Sequence, residues 1–97
     1  MEENFVEEVR QRADIVEVIS DYIKLKRQGK KFVGLCPFHK EKTPSFNVNP
    51  ERQIFKCFGC GAGGDAIKFV QKVQGVSFKE ALEQLAQKAG INIDKYH

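Results

Sequence analysis

The 97-residue sequence contains few of the features that membrane insertion or catalysis would need. No apolar run approaches the length of a transmembrane helix, and no signal-peptide apolar segment follows the acidic first residues. A His-Glu-x-x-His motif, a Walker phosphate loop and a nucleophile beside a base are all missing. We therefore expect a soluble protein that does not contact a membrane and has no catalytic residue within this chain.

Cysteine is also scarce, and the odd number of three cannot be fully paired in disulfides. All three combine with the single internal histidine in two motifs, Cys36-Pro37-Phe38-His39 and Cys57-Phe58-Gly59-Cys60. Two residues separate the ligands within each motif, and seventeen separate the two motifs. Three thiolates and one imidazole at this spacing are typical of a closed structural zinc site in a reducing compartment. The predicted ligands of one Zn²⁺ are Cys36, His39, Cys57 and Cys60.

The apolar pattern predicts an α+β fold, a zinc ribbon whose small antiparallel β-sheet is flanked by helices at both ends. Helix caps and helical spacing alternate with strand-like segments, and a turn over residues 49–52 forms a hairpin that brings the two ligand pairs together. We predict one zinc-binding domain over residues 1–97, with N-terminal helices in 1–23, the ribbon sheet in 24–60 and C-terminal helices in 65–90. Residues 61–64 are expected to be a flexible connection, and 91–93 a terminal strand.

Positive charge is concentrated in the predicted ribbon. Residues 1–23 carry a net charge of −5, whereas residues 24–56 carry +7 and hold nine of the sixteen lysines and arginines. Phe32, Phe46 and Phe55 alternate with these bases on the predicted strands. Exposed aromatic rings beside cations are typical of single-stranded nucleic-acid binding, because bases stack on rings while phosphates contact cations. The alternative is that the rings form the ribbon core.

Several sequence runs are similar to the N-terminal zinc-binding domain of bacterial DnaG-type DNA primases. The longest are Asp-Ile-Val-Glu-Val-Ile at 14–19, Cys-Pro-Phe-His-Lys-Glu-Lys-Thr-Pro-Ser-Phe at 36–46 and Cys-Phe-Gly-Cys-Gly at 57–61. Shorter runs at 24–26, 29–30 and 64–67 continue the match. The similarity covers nearly the whole chain, and we see no departure from the family pattern.

This resemblance implies a parent enzyme, a DNA-directed RNA polymerase that lays down RNA primers on single-stranded DNA in the bacterial replisome. Its catalytic acids and Mg²⁺ would lie in a separate polymerase domain, which this zinc domain serves in cis or in trans. A further C-terminal domain would contact the replicative helicase. The template contacts that the family implies are Lys26, Lys30, Lys42, Pro44 and Arg52; the basic and aromatic pattern adds Lys31, Phe46, Phe55 and Lys56.

Two other functions compete with template binding. A zinc ribbon can dock on another protein, in which case its positive charge would meet an acidic protein surface. A hydrolytic zinc enzyme would need an open coordination position, which four protein ligands do not leave. Salt-dependent binding to single-stranded DNA distinguishes the docking module from the template-binding domain, because neutralised phosphates release counterions.

Overall fold

The computed structural model describes residues 3–40 and 42–91 of the chain. Two helices come first, five strands follow in one sheet, and two more helices complete the described part. The helices are α1 (Glu3–Arg12), α2 (Ile15–Ser20), α3 (Ala66–Gln74) and α4 (Phe78–Lys88); the strands are β1 (Lys26–Gln28), β2 (Lys31–Gly34), β3 (Phe46–Asn49), β4 (Ile54–Cys57) and β5 (Gly63–Gly64). The predicted α+β fold is confirmed. Within the described ranges, no helix has the length and apolar character needed to span a membrane.

Side-chain caps determine where three helices begin. Each cap accepts a backbone N–H from the first turn: Asp14 from Val16 at 3.1 Å, Asp65 from Lys68 at 2.9 Å and Ser77 from Glu80 at 3.2 Å. These bonds satisfy N–H groups that have no partner inside the helix. The same three caps are visible in the sequence as an Asp or Ser before an apolar, helically spaced run.

The sheet is a simple antiparallel meander in the order β1-β2-β3-β4-β5. Because successive side chains alternate between faces, the register assigns each residue to one side of the sheet. The inner face packs against the helices and includes the buried Phe46, Val48, Phe55 and Cys57. The opposite side, here called the outer face, consists of Lys26, Gln28, Lys31, Val33, Asn47, Asn49, Ile54 and Lys56.

One continuous core joins the sheet to the C-terminal helices. Phe69 of α3 lies at its centre, with its ring centroid 5.5 Å from that of Phe55 and 6.0 Å from that of Phe46. Phe38, from the first ligand motif, packs 5.7 Å from the same ring. The ribbon therefore shares its apolar core with α3, and does not rest on the metal site alone.

The expectation of a flexible connection over residues 61–64 needs correction, because Gly63 and Gly64 form β5 and pair with β4. Gly64 has φ +150°, and a Cβ there would lie 2.7 Å from Cδ of Lys68. Only glycine allows this close approach of the strand to α3. The terminal strand predicted at 91–93 reaches into residues 92–97, which lie outside the described ranges.

Candidate metal centre and nucleic-acid interface

The sheet register brings the two ligand motifs together at one end of the sheet. Gly34 of β2 lies opposite Phe46 of β3, which lies opposite Cys57 of β4. Cys36 follows β2 by two residues, so it emerges beside the end of β4 where Cys57 lies. The candidate ligand atoms of Cys36, His39, Cys57 and Cys60 all lie within 4.8 Å of one another.

The spacing of these atoms suits a tetrahedral zinc ion. Zn–S bonds of about 2.3 Å place two sulfurs about 3.8 Å apart at the corners of a tetrahedron. Sγ of Cys36 and Sγ of Cys60 are 3.8 Å apart. Cys36 and Cys57 are buried and His39 is half-buried, whereas Cys60 lies at the surface. The donor set and the geometry therefore fit one Zn²⁺ bound by Cys36, His39, Cys57 and Cys60.

The two ligand motifs, residues 36–39 after β2 and residues 57–60 at the end of β4, form zinc knuckles. Backbone amides in these knuckles influence the charge state of the buried thiols. Burial raises the pKa of the Cys36 thiol to about 12, although the backbone N–H of Phe38 donates to its Sγ at 3.4 Å. Burial also acts to raise the pKa of Cys57, but bonds from the amides of Cys60 and Gly59 and from the Ser45 hydroxyl bring it below its ordinary value. A thiol must lose its proton to bind a metal, so a cation that replaces the proton of Cys36 relieves the cost of burying that charge.

Four protein ligands leave no position for water or substrate, so the centre is suited to a structural role. Across residues 3–40 and 42–91 this is the one group of three or more His, Cys, Asp or Glu side chains placed to hold a metal. When bound, zinc supplies a cross-link between the β2 knuckle and the β4 knuckle. The chain's own residues position those knuckles through the sheet register.

The predicted basic contacts are all exposed and are distributed along the whole sheet. Lys26, Lys31 and Lys56 lie on the outer face. Two more lie in the turns at the end far from the metal site, Lys30 between β1 and β2 and Arg52 between β3 and β4. Lys42 and Pro44 lie at the opposite end, in the loop that connects the first knuckle to β3. The cations thus extend from one end of the sheet to the other.

The predicted surface role of Phe46 and Phe55 is wrong. Their side chains are 0% and 2% exposed, and both lie on the inner face against α3. Because side chains alternate between the two faces of a strand, Phe46 and Phe55 lie on the same face as Cys57. The helices cover this face, so both rings are buried. The alternative interpretation, in which these rings form the ribbon core, is the correct one.

Sequence reasoning missed Phe58, which is 68% exposed and lies between two metal ligands. Its backbone N–H donates to the carbonyl of Ser45 at 2.9 Å, which extends the β3–β4 pairing by one step beyond Cys57. Nζ of Lys56 lies 5.7 Å from the centroid of the ring. The alternation of side chains along β4 could have indicated the exposure of Phe58, because the residue after a buried strand residue points to the opposite face.

Gln53 was also missed, and it fixes the turn that carries Arg52. Its Oε1 accepts the backbone N–H of Ile15 at 2.8 Å, and its Nε2 donates to the carbonyl of Pro50 at 2.7 Å. The same Nε2 donates to Oδ1 of Asp14 at 3.3 Å. Gln53 adopts φ +56°, a left-handed conformation that the surrounding bonds must hold. No local sequence pattern reveals contacts across 38 residues of chain.

A closed three-cysteine, one-histidine centre at the end of an antiparallel meander defines a zinc ribbon. Residues 1–97 match the family described as the CHC2 zinc finger, the zinc ribbon of DnaG-type primases. The match covers the whole sequence, so the chain belongs to this family.

Curated relatives and a solved structure agree with this assignment. The chain is 55% identical over 94 residues to the DNA primase of Geobacillus stearothermophilus and 55% identical over 91 residues to that of Thermotoga maritima. The two matches cover 97% and 94% of this chain but 16% of the length of each relative. The crystal structure of the Aquifex aeolicus primase zinc-binding and RNA polymerase domains is similar at a TM-score of 0.88 and 49% identity, over 95% of this chain and 23% of that one.

Proposed function

We propose that this chain is the template-binding zinc domain of a bacterial DNA primase. In this role it binds single-stranded DNA at start sites and helps the enzyme to begin RNA primers. The observation that carries the proposal is the outer face of the sheet, which presents three lysines and two asparagines. None of the strand residues on this face is acidic.

Charge separation within the fold supports the binding of a polyanion. The acidic helices α1 and α2 pack against α4 and α3, and the start of α2 contacts the β3–β4 turn at the end of the sheet. The lysines of β1, β2 and β4 lie on the outer face of the sheet. A strand of DNA that follows the outer face would therefore meet cations without passing the acidic helices, and each phosphate contact would release counterions.

The activity of the parent enzyme extends the proposal beyond this chain. The relatives are DNA primases of which this chain spans about one sixth. We infer that the catalytic acids and Mg²⁺ belong to a polymerase domain elsewhere in the parent. That domain would receive the template strand from this one, in cis or in trans. The parent would work in the cytoplasmic replisome and contact the replicative helicase through another domain.

A binding titration tests the proposal directly. A labelled single-stranded oligonucleotide is titrated with the zinc-loaded chain at several salt concentrations. We expect affinity to fall linearly with the logarithm of salt, and Lys31→Ala and Lys56→Ala each to flatten that slope by about one unit. Lys79→Ala, at an exposed site on α4, is the matched control and should leave the slope unchanged.

Primer synthesis by the full-length parent extends the test to function. The double variant Lys30→Ala, Arg52→Ala, with its zinc content verified, should make fewer primers or choose different start sites. Normal synthesis from that variant, together with salt-independent or absent DNA binding by the chain, would favour the protein-docking module instead.

A further inference from the structure

Phe58 is the most exposed of the large apolar side chains in the described residues, at 68%. It follows the last residue of β4, and its bond to Ser45 keeps it in line with the strand. Alternation therefore places its side chain on the outer face, one step closer to the metal than Lys56. On this face the ring lies among cations, with Nζ of Lys56 5.7 Å from its centroid.

A shallow cavity of about 240 Å³ lies beside this ring on the outer face. Its lining residues from the outer face are Lys31, Asn47, Asn49, Ile54, Lys56 and Phe58, and Val48 and Phe55 complete the lining. This volume is below the roughly 300–1,000 Å³ typical of pockets for drug-sized ligands, so it suits a single flat heterocycle. The cavity combines one aromatic wall, one aliphatic wall, two amides and two ammonium groups.

Both amides are held in place by hydrogen bonds to the backbone. Nδ2 of Asn47 donates to the carbonyl of Ser45 at 3.0 Å, which leaves Oδ1 as its acceptor for a ligand. Oδ1 of Asn49 accepts the backbone N–H of Arg52 at 3.0 Å, which leaves Nδ2 as its donor. The two amides thus offer both an acceptor oxygen and N–H donors to a ligand. The edges of unpaired nucleobases present complementary groups of both kinds.

We propose that this cavity binds one unpaired nucleobase of the template strand, with Phe58 as the stacking platform and Asn47 and Asn49 contacting the base edge. This inference rests on the proposed template-binding function and names the part of the surface that contacts bases. Lys31 and Lys56 would contact the adjoining phosphates. The knuckle between Cys57 and Cys60 sets the position of the ring, so the metal centre supports the stacking platform.

A strand without bases separates base stacking from phosphate binding. Two oligonucleotides of equal length and charge are compared, one of ordinary sequence and one in which every position is abasic. Phe58→Ala should weaken binding of the ordinary strand by about 5- to 150-fold, the range typical of one base–aromatic stack. The same variant should bind the abasic strand as the wild type does, with an unchanged salt slope. Phe58→Tyr should restore binding of the ordinary strand.

Loss of folding does not account for the expected result, because most of the Phe58 side chain lies outside the core. Zinc content and circular dichroism of Phe58→Ala verify this point. Asn47→Ala and Asn49→Ala provide a second readout, since each should change the order of preference among strands that differ in one base.

Each outcome separates this inference from the function on which it rests. If Phe58→Ala binds the ordinary strand as the wild type does while salt-dependent binding persists, template binding stands and the nucleobase site is wrong. If the wild-type chain binds neither strand in a salt-dependent manner, both proposals fail. Equal weakening of both strands by Phe58→Ala would also overturn the nucleobase site.

Discussion

The ring of Phe46 stacks on the ring of Phe55 in the interior, with centroids 5.3 Å apart and planes inclined by 18°. Val48 is the next buried residue along β3, and it lies directly opposite Phe55 in the sheet. The two phenylalanines that the sequence marks as candidate stacking platforms for DNA thus stack on each other. Their contribution is to the stability of the domain.

Truncation of either ring should therefore destabilise the fold. We expect Phe46→Ala or Phe55→Ala to lower the free energy of unfolding by about 3–5 kcal/mol, because each leaves a cavity next to Phe69. Phe58→Ala is the matched control, since the same substitution at an exposed ring should change stability by under about 1 kcal/mol. Urea denaturation of the zinc-loaded variants measures the difference. Equal destabilisation by all three substitutions would contradict the assignment of the two faces.

Gln53 should have a larger effect on stability than its half-buried position suggests. Gln53→Ala removes the side-chain oxygen that accepts the backbone N–H of Ile15. That N–H then loses its hydrogen bond next to the core, because Ile15 is buried. The expected loss in free energy of unfolding is about 1–3 kcal/mol. Gln11→Ala, which removes one exposed side-chain bond to Glu7, is the control and should be nearly neutral. A neutral Gln53→Ala would show that the β3–β4 turn keeps its place without these bonds.

The ion pair between Lys88 and Asp21 links α4 to the end of α2 and should make stability depend on alkaline pH. The hydrogen bond to Asp21 raises the pKa of Lys88 above its ordinary value. The pair therefore stabilises the fold fully below the ordinary lysine pKa, and this contribution disappears as the pH rises through the higher, folded-state pKa.

Because both side chains are substantially exposed, Asp21→Asn should lower the free energy of unfolding by under about 1 kcal/mol at neutral pH. The difference from wild type should shrink once Lys88 is deprotonated. Denaturation curves recorded from pH 7 upward test this expectation. A difference that stays constant with pH would assign the effect of Asp21→Asn to something other than the ion pair.

The features that sequence reasoning recovered are those with local signals. Ligand spacing identified the metal centre, and the Asp or Ser caps of α2, α3 and α4 were visible within a few residues. The exposure of the aromatic rings could not be predicted, because it depends on which face of the sheet the helices cover. That choice decides between Phe46 and Phe58 as the exposed ring, and both are aromatic residues near a strand end. Contacts across the fold, such as that between Gln53 and Ile15, leave no local pattern either.

The last prediction concerns the metal as a cross-link. Zinc cross-links the β2 and β4 knuckles, so zinc removal or Cys57→Ala should release the strand ends before the helices, whose side-chain caps do not involve the metal ligands. Hydrogen exchange should show the first loss of protection across residues 31–60. Protection of α3 should fall next, because Phe69 packs against the rings of β3 and β4.

A variant that retains the metal provides the control for this experiment. His39→Cys replaces one zinc ligand by another, since four cysteines also form closed zinc sites, and it should keep both zinc and strand protection. X-ray absorption should then report Zn–S distances of about 2.3 Å, with the Zn–N distance of about 2.0–2.1 Å present in wild type alone. Simultaneous loss of protection in strands and all helices on zinc removal would mean that the aromatic core makes the chain one cooperative unit. The metal would then stabilise the whole domain and not the ribbon in particular.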